Sequence, residues 1–357
     1  METTTNRKVI ALIVACLCTV ACQKTASGPA RPAGAPIHVK APLGLPPLDV
    51  PPDNPVTAET VALGRKLFYE TKLSGDNTVS CATCHNPAMG FSDGSRVSTG
   101  MNGKKGTRNA PTVLNAAYAS LQFWDGRARN LEEQAAVPIG NPVEMNQKHD
   151  VCASKLDDDP AYVAEFTKAF GPGPVTMEKI QKAIAAFERT MLSGNSPFDR
   201  FIYGGDKEAL SPAAIRGYAI FGDTNRGNCA NCHSLGERDS LFTDGKFHNL
   251  GVGVNSDGDL VDPGRFTATK AEADKGRFRT PTLRNIAKTA PYMHDGSFRT
   301  LRQVVDFYVG GGNSNPWLDK DMKPLTLTRQ ERDDLVAFLE SLTGDMPPDA
   351  GPPTAGK

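Results

Sequence analysis

Two short strings carry the chemistry of this chain: Cys81-Ala82-Thr83-Cys84-His85 and Cys229-Ala230-Asn231-Cys232-His233. Thiols three positions apart project from one side of a helical turn, and the histidine that follows reaches whatever the thiols hold. C-x-x-C-H is the attachment signature of a c-type heme, with two thioethers to the vinyl groups and an imidazole as proximal iron ligand. Structural zinc spaces its histidine away from the second cysteine, and a redox dithiol needs no histidine after it. The pattern therefore predicts two covalently bound heme c groups, one on Cys81, Cys84 and His85 and one on Cys229, Cys232 and His233.

A heme iron has one axial site beyond the proximal histidine, and its occupant sets the chemistry. An internal duplication bears on that occupant. Ala62 to Phe68 before the first motif matches Ile215 to Phe221 before the second. After the motifs, Gly90-Phe91-Ser92-Asp93-Gly94 matches Phe242-Thr243-Asp244-Gly245, and Arg108-Asn109-Ala110-Pro111-Thr112 matches Arg279-Thr280-Pro281-Thr282. Phe123-Trp124-Asp125-Gly126 matches Met293-His294-Asp295-Gly296. Tyr308 follows His294 by fourteen residues (308 − 294), and Pro138 follows Trp124 by fourteen (138 − 124). If Tyr308 faces the second iron, Pro138 faces the first, and proline has no ligating atom. One capped heme that moves electrons and one open heme that binds peroxide or oxygen are expected. Cleaving a peroxide O–O bond moves a proton between the oxygens, and Glu144 in the following loop is the candidate acid/base, with Gln134 as a neutral hydrogen-bonding partner. On spacing alone two alternatives stand: Glu144 as a solvated loop carboxylate, and Tyr308 as a packing residue with His294 as the ligand.

These residues need elements to hold them. Met177 to Met191 places Ile180, Ile184 and Phe187 on one helical face. Ser211 and Pro212 open a second helix, and Thr328 with Glu331 form a capping box ahead of Leu335, Phe338, Leu339 and Leu342. No stretch alternates with period two. The fold class is mainly α, as two duplicated cytochrome c-like domains with long loops, over 56–203 and 204–345. Lys+Arg and Asp+Glu both number 40, so a net charge of zero removes the electrostatic case for nucleic-acid binding. Arg7, Lys8 and the apolar run Val9 to Val20, ending at Ala21-Cys22, read as a lipoprotein-type signal over 1–22. The mature chain is expected in the periplasm, lipid-anchored through Cys22, with ordinary signal cleavage as the alternative. Cys16 and Cys18 leave with the signal. Residues 23–55 read as a Pro/Ala-rich tether, in which His38 has no role, and 346–357 as a disordered tail. Cys152 reads as a buried thiol and His149 as a surface residue.

Together these motifs resemble the bacterial diheme cytochrome c peroxidase and MauG family over about residues 57–345. The strings that carry the resemblance are the two C-x-x-C-H motifs, Arg108-Asn109-Ala110-Pro111-Thr112, Phe123-Trp124-Asp125-Gly126-Arg127, Pro281-Thr282-Leu283-Arg284-Asn285 and Pro291-Tyr292-Met293-His294-Asp295-Gly296. The resemblance implies a peroxide-binding N-terminal heme, with Trp124 conducting electrons between the hemes and Gln134, Pro138 and Glu144 as distal-pocket residues. It also implies a calcium ion between the domains, on the Asn109 side chain and the carbonyls of Thr289 and Pro291. Peroxidases of this family that draw electrons from a small cytochrome use a methionine on the second heme. Tyr308 is instead similar to the ligand of the MauG branch, and Phe247-His248-Asn249 to the methanobactin-associated enzyme MbnH. Where many family members carry a histidine that caps the first heme, this chain has Gly100-Met101-Asn102, which implies an open resting heme; Met101 as a ligand stays open. A phenolate stabilises high-valent iron better than a thioether does.

The resulting expectation is an oxidoreductase that reacts with hydrogen peroxide at the heme above His85 and shares oxidising equivalents with the heme held by His233 and Tyr308. Its partner is a periplasmic electron donor or a protein whose aromatic residues it oxidises. A non-catalytic diheme electron-transfer cytochrome and a zinc-binding structural lipoprotein are the alternatives. His294 is expected to be structural or to contact a propionate; the role of His248 stays open.

Overall fold

The computed structural model describes residues 29–354. The expected signal segment, with Cys16, Cys18 and the expected lipidation site Cys22, lies outside the described residues. Among those described, the architecture is helical: α1 (Ala58–Phe68), α2 (Cys81–Cys84), α3 (Leu131–Gly140), α4 (His149–Asp157), α5 (Pro160–Phe170), α6 (Met177–Thr190), α7 (Pro197–Ile202), α8 (Pro212–Gly222), α9 (Phe266–Thr269), α10 (Leu301–Val309) and α11 (Arg329–Glu340). A two-residue antiparallel pair, β1 (Phe247–His248) and β2 (Phe278–Arg279), is the only sheet among them. The caps explain the helix starts. Ser211 caps α8 ahead of Pro212, and reciprocal capping boxes open α10 at Thr300/Gln303 and α11 at Thr328/Glu331.

Each half is built on one crossing of two helices. In the first half α1 crosses α6 at Gly64, where a Cβ would lie 1.8 Å from the Ala183 carbonyl oxygen. In the second α8 crosses α11 at Gly217, where a Cβ would lie 2.0 Å from the Asp334 carbonyl oxygen. Only glycine lets the backbones approach this closely. An aromatic pair seals each crossing, Phe68 on Phe187 at 5.3 Å and Phe221 on Phe338 at 4.9 Å between centroids. Two separate cores result. Phe198 of α7 packs in the second core although it precedes the expected boundary at 203/204, so in the packing the second unit begins with α7.

The halves are joined by a reciprocal pair of backbone hydrogen bonds. The Asn109 amide donates to the His294 carbonyl at 2.7 Å, and the Arg279 amide donates to the Trp124 carbonyl at 2.8 Å. These residues stand at one repeat offset, 279 − 109 = 170 and 294 − 124 = 170, so the seam is an approximate two-fold.

Two expectations are corrected at the chain ends. Residues 29–55 do not hang free as a tether. The Ile37 amide bonds the Val56 carbonyl (2.8 Å), the Leu43 carbonyl accepts from Asn195 (2.8 Å), and the Gly44 carbonyl accepts from Ser240 (3.1 Å). The Gly44 carbonyl also accepts from Arg284, whose guanidinium pairs with Asp199 at 2.8 Å with both side chains buried. A buried ion pair needs its remaining donors satisfied, and this strap supplies an acceptor. Likewise the expected disordered tail docks on α1 as far as it is described. Arg65 meets Asp349 and the Gly351 carbonyl, each at 2.8 Å, and Ala350 is buried in the first core. Composition suggested disorder for both segments, but prolines hold extended backbone whose carbonyls remain good acceptors.

Candidate diheme site

The two C-x-x-C-H segments open into one continuous cavity of about 1010 Å³ that runs along the seam. Ser80 starts α2 with a capping box to Thr83, which orients Cys81 and Cys84; Cys229 begins a single 3-10 turn. All four motif cysteines are free thiols on the cavity wall. Burial pushes their pKa values up where a shift is resolved, Cys84 to about 11 and Cys229 to about 12.

The proximal imidazoles are held alike. His85 Nδ1 lies 3.1 Å from the Phe91 carbonyl, and His233 Nδ1 lies 2.9 Å from the Phe242 carbonyl. An Nδ1–H donated to a carbonyl leaves the lone pair on Nε2, the tautomer a metal needs. Burial lowers both histidine pKa values and keeps the rings neutral. Phe91 and Phe242 present these carbonyls from left-handed backbone, at φ of 58° and 52°. A bulky residue there costs on the order of 1–3 kcal/mol, and the same cost is met in both halves to aim an acceptor at a histidine.

Opposite the motifs the halves diverge. Pro138 of α3 and Tyr308 of α10 both line the cavity, at the repeat offset of the seam residues (308 − 138 = 170). Burial raises the Tyr308 phenol well above the ordinary tyrosine range. Gln134 and Glu144 also face the cavity. Asn141 Nδ2 donates to Glu144 Oε1 at 2.6 Å, and burial raises the Glu144 pKa against the pull of Asn141 and Arg127. Glu144 is thus not a solvated loop carboxylate. Met101 is not on the wall: it packs in the first core at 6% exposure, tied through its amide to the Glu144 carbonyl at 2.8 Å.

Trp124 sits on the seam. Its Nε1 donates to the Asn109 carbonyl at 2.9 Å, and its own carbonyl takes the Arg279 amide. The next residue, Asp125, is buried and fixed by Arg108 at 2.6 Å and Arg127 at 3.0 Å, while Arg108 also holds Asp262 at 2.7 Å. This network pins the loop that carries the indole. Asn109, Thr289 and Pro291 all line the cavity. Asn109 Nδ2 donates to Ser95, and none of the three offers a carboxylate.

The other histidines separate cleanly. His149 is exposed. His294 stacks flat on Phe278, with centroids 3.5 Å apart, and burial pulls its pKa down to about 4. His248 lies between Asp319 (2.6 Å) and Asp244 (2.9 Å), next to Cys232. Hydrogen bonding to the Cys232 thiol and to those two carboxylates pushes its pKa up to about 10. Two further wall residues have a charge state that the sequence pattern does not reveal. Arg279 is a half-buried guanidinium without a carboxylate partner among the described residues, and burial lowers its pKa. Glu188 of α6 is buried and also faces the cavity.

The residues present fit two c-type hemes. Free thiols, imidazoles with Nε2 free, a largely apolar cavity shared by both motifs and an arginine without a carboxylate partner, suited to a propionate, are the donor set such groups require. Fold and site together define a covalent diheme cytochrome.

The chain belongs to the diheme cytochrome c peroxidase and MauG family, whose members are oxidoreductases that carry two heme c groups. Residues 58–208 match the family model for di-haem cytochrome c peroxidase, and residues 214–343 match that for cytochrome c. The chain is 42% identical over 296 residues to the methylamine utilization protein MauG of Methylorubrum extorquens, covering 83% of this chain and 81% of that one. It is 40% identical over 367 residues to the cytochrome-c peroxidase IdrP1 of Denitromonas iodatirespirans, covering 95% and 93%. The crystal structure of a MauG-like protein associated with microbial copper homeostasis superposes with a TM-score of 0.79 at 34% identity, covering 87% of this chain and 98% of that one.

Proposed function

We propose that this protein reacts with hydrogen peroxide in its N-terminal half and uses the oxidising equivalents, shared with its C-terminal half, on a periplasmic partner. The observation that carries the reading is the divergence at one repeat position, where Pro138 leaves the first cavity without a ligating side chain and Tyr308 supplies one in the second. When bound, the hemes on Cys81/Cys84/His85 and Cys229/Cys232/His233 supply the redox chemistry. The chain's own residues do the rest. Glu144, held by Asn141 and raised by burial, keeps a proton available at the cavity wall and takes one back, with Gln134 as a neutral hydrogen-bonding neighbour. Trp124 lies on the seam between the two halves, its indole held through Nε1 and its backbone through the carbonyl, which supports a part in electron exchange. Burial disfavours a free phenolate at Tyr308, so its charged form exists only when paired with a cation, as iron ligation provides. A tyrosinate suits retention of oxidising equivalents, and with it the oxidation of aromatic residues in a partner protein.

Calcium on the Asn109 side chain and the Thr289 and Pro291 carbonyls is part of the proposal. It is supported by the place of all three on the cavity wall and by the use calcium makes of carbonyl and amide oxygens. Export and a lipid anchor at Cys22 complete it; no described helix is long and apolar enough to cross a membrane.

The test is Glu144→Gln in the two-heme protein. The peroxide-driven change in the Soret band should slow by about 10²-fold, the usual scale of general acid/base effects. An unchanged rate removes Glu144 from the reaction. A wild-type protein inert to peroxide ends the proposal and leaves an electron-transfer cytochrome.

A further inference from the structure

The two crossing helices that face the cavity, α6 and α11, repeat at an offset of 151: Ile184 answers Leu335 (335 − 184), Phe187 answers Phe338 (338 − 187), and Glu188 answers Leu339 (339 − 188). Ile184, Leu335, Glu188 and Leu339 all line the cavity. One face thus presents leucine to the second heme site and a carboxyl to the first, at a place where the fold accommodates an apolar side chain. Glu188 is 5% exposed. It lies close enough to Cys81 for its charge to raise that thiol's pKa. Its carboxylate has no ion-pair partner among the described residues, because the neighbouring Arg189 is taken by Glu132 of α3 at 2.7 Å. Burying a carboxyl without a partner is unfavourable compared with leucine, so its presence in one half alone calls for a role beyond packing.

We infer that Glu188 is a redox-linked proton site of the N-terminal heme: its carboxyl holds a proton while that heme is reduced and releases it as the heme loses an electron. On oxidation in the titration one electron leaves the heme to the electrode. The Glu188 O–H bond breaks and its proton passes to water; reduction reverses both. The gain in positive charge at the heme is thereby matched by a negative charge at the wall, in a medium where unmatched charge is costly. The charged and titratable groups that act on Glu188 are Arg189 on its own helix, Glu132 on α3 and Cys81 on α2. Of these, Cys81 is neutral once joined to the heme, and Arg189 and Glu132 compensate each other. Burial, opposed by Arg189 and reinforced by Glu132, pushes the Glu188 pKa up to about 8. The added charge of an oxidised heme lowers it, so the coupled range lies below that value.

The inference rests on the reading that Cys81, Cys84 and His85 hold a heme, and not on peroxide chemistry. The test is a spectroelectrochemical titration of the two-heme protein from pH 5 to 9 for wild type, Glu188→Gln and Glu188→Leu, with heme content fixed beforehand by heme-stained denaturing gels. In wild type the N-terminal heme potential should fall with rising pH, at up to the one-proton, one-electron limit of about 59 mV per pH unit. Both variants should lose that slope at the N-terminal heme and leave the pH dependence of the C-terminal heme as it is. A slope that persists in Glu188→Gln, or its absence in wild type, overturns the inference. So does a Glu188→Gln protein that fails to attach the first heme, since Glu188 would then serve assembly. A chain inert to peroxide still answers the question, so failure here is distinguishable from failure of the proposed function.

Discussion

The N-terminal and C-terminal halves share a scaffold and differ in what the scaffold points inward. Both cross their main helices at a glycine, both hold the proximal imidazole on a carbonyl from left-handed backbone, and both contribute one strand of hydrogen bonding to the seam. At matched wall positions, Pro138 corresponds to Tyr308, Gln134 to Val304 (304 − 134 = 170), and Glu188 to Leu339. At these positions the first half presents proline and two polar side chains, and the second presents a phenol and two apolar side chains. The comparison teaches that duplication preserved the residues that carry backbone strain and close approach. The two halves differ in side chains that line the cavity.

The largest way to break the comparison is to remove one heme. Cys81→Ala and Cys229→Ala should each reduce covalent heme from two to one per chain, read by intact mass and heme-stained gels. Retention of both hemes in either variant would sink the attachment sites.

Exchanging the wall residues comes next. Tyr308→Phe should abolish the low-spin ferric signal of the second heme in electron paramagnetic resonance and leave the high-spin signal of the first. Tyr308→Met should keep six-coordination but raise that heme's potential, because a thioether favours ferrous iron. If the low-spin signal is unchanged in Tyr308→Phe, tyrosine is not the ligand.

A smaller effect tests whether the two crossings are equivalent. Gly64→Ala and Gly217→Ala should each destabilise the protein by about 1–3 kcal/mol, the usual cost of overpacking, read as a fall in Tm. A large effect at one glycine and none at the other would show that the halves do not share a packing solution.

The smallest effect is a pH dependence confined to the second half. The folded-state pKa of His248 is raised from 6.5 to about 10 by Cys232, Asp319 and Asp244. Its stabilisation is therefore fully present below pH 6.5 and lost as pH rises through the folded value. Heme attachment converts Cys232 to a thioether, so the upper edge falls toward what the two aspartates sustain. His248→Gln should lower Tm near pH 6 and make no difference at pH 10; an equal loss at both would mean that His248 only fills space.

Much of this site is legible in the amino-acid sequence. Covalent attachment is local chemistry, contained in five consecutive residues, and the repeat offset places Tyr308 and Pro138 at equivalent positions. Helix starts at Ser211 and Thr328 follow from capping, which acts within one turn. Glu188 carries the same kind of signal, since aligning Phe187 with Phe338 sets it against Leu339, but a glutamate on a helix ordinarily reads as solvated.

What the sequence by itself determined is the cofactor chemistry and the twofold plan, because both rest on short spacings and on repetition. Tertiary structure alone decided the rest. It turned Met101 into the core, although its place in the chain allowed a ligand. It laid His294 flat on Phe278 and spent Arg108 on Asp125 and Asp262. It also tied residues 29–55 and the tail to the body, where composition suggested free chain. Each of these depends on partners tens to hundreds of residues away. Burial converts such contacts from optional to required, since a polar group out of water must find its partner wherever the fold brings one.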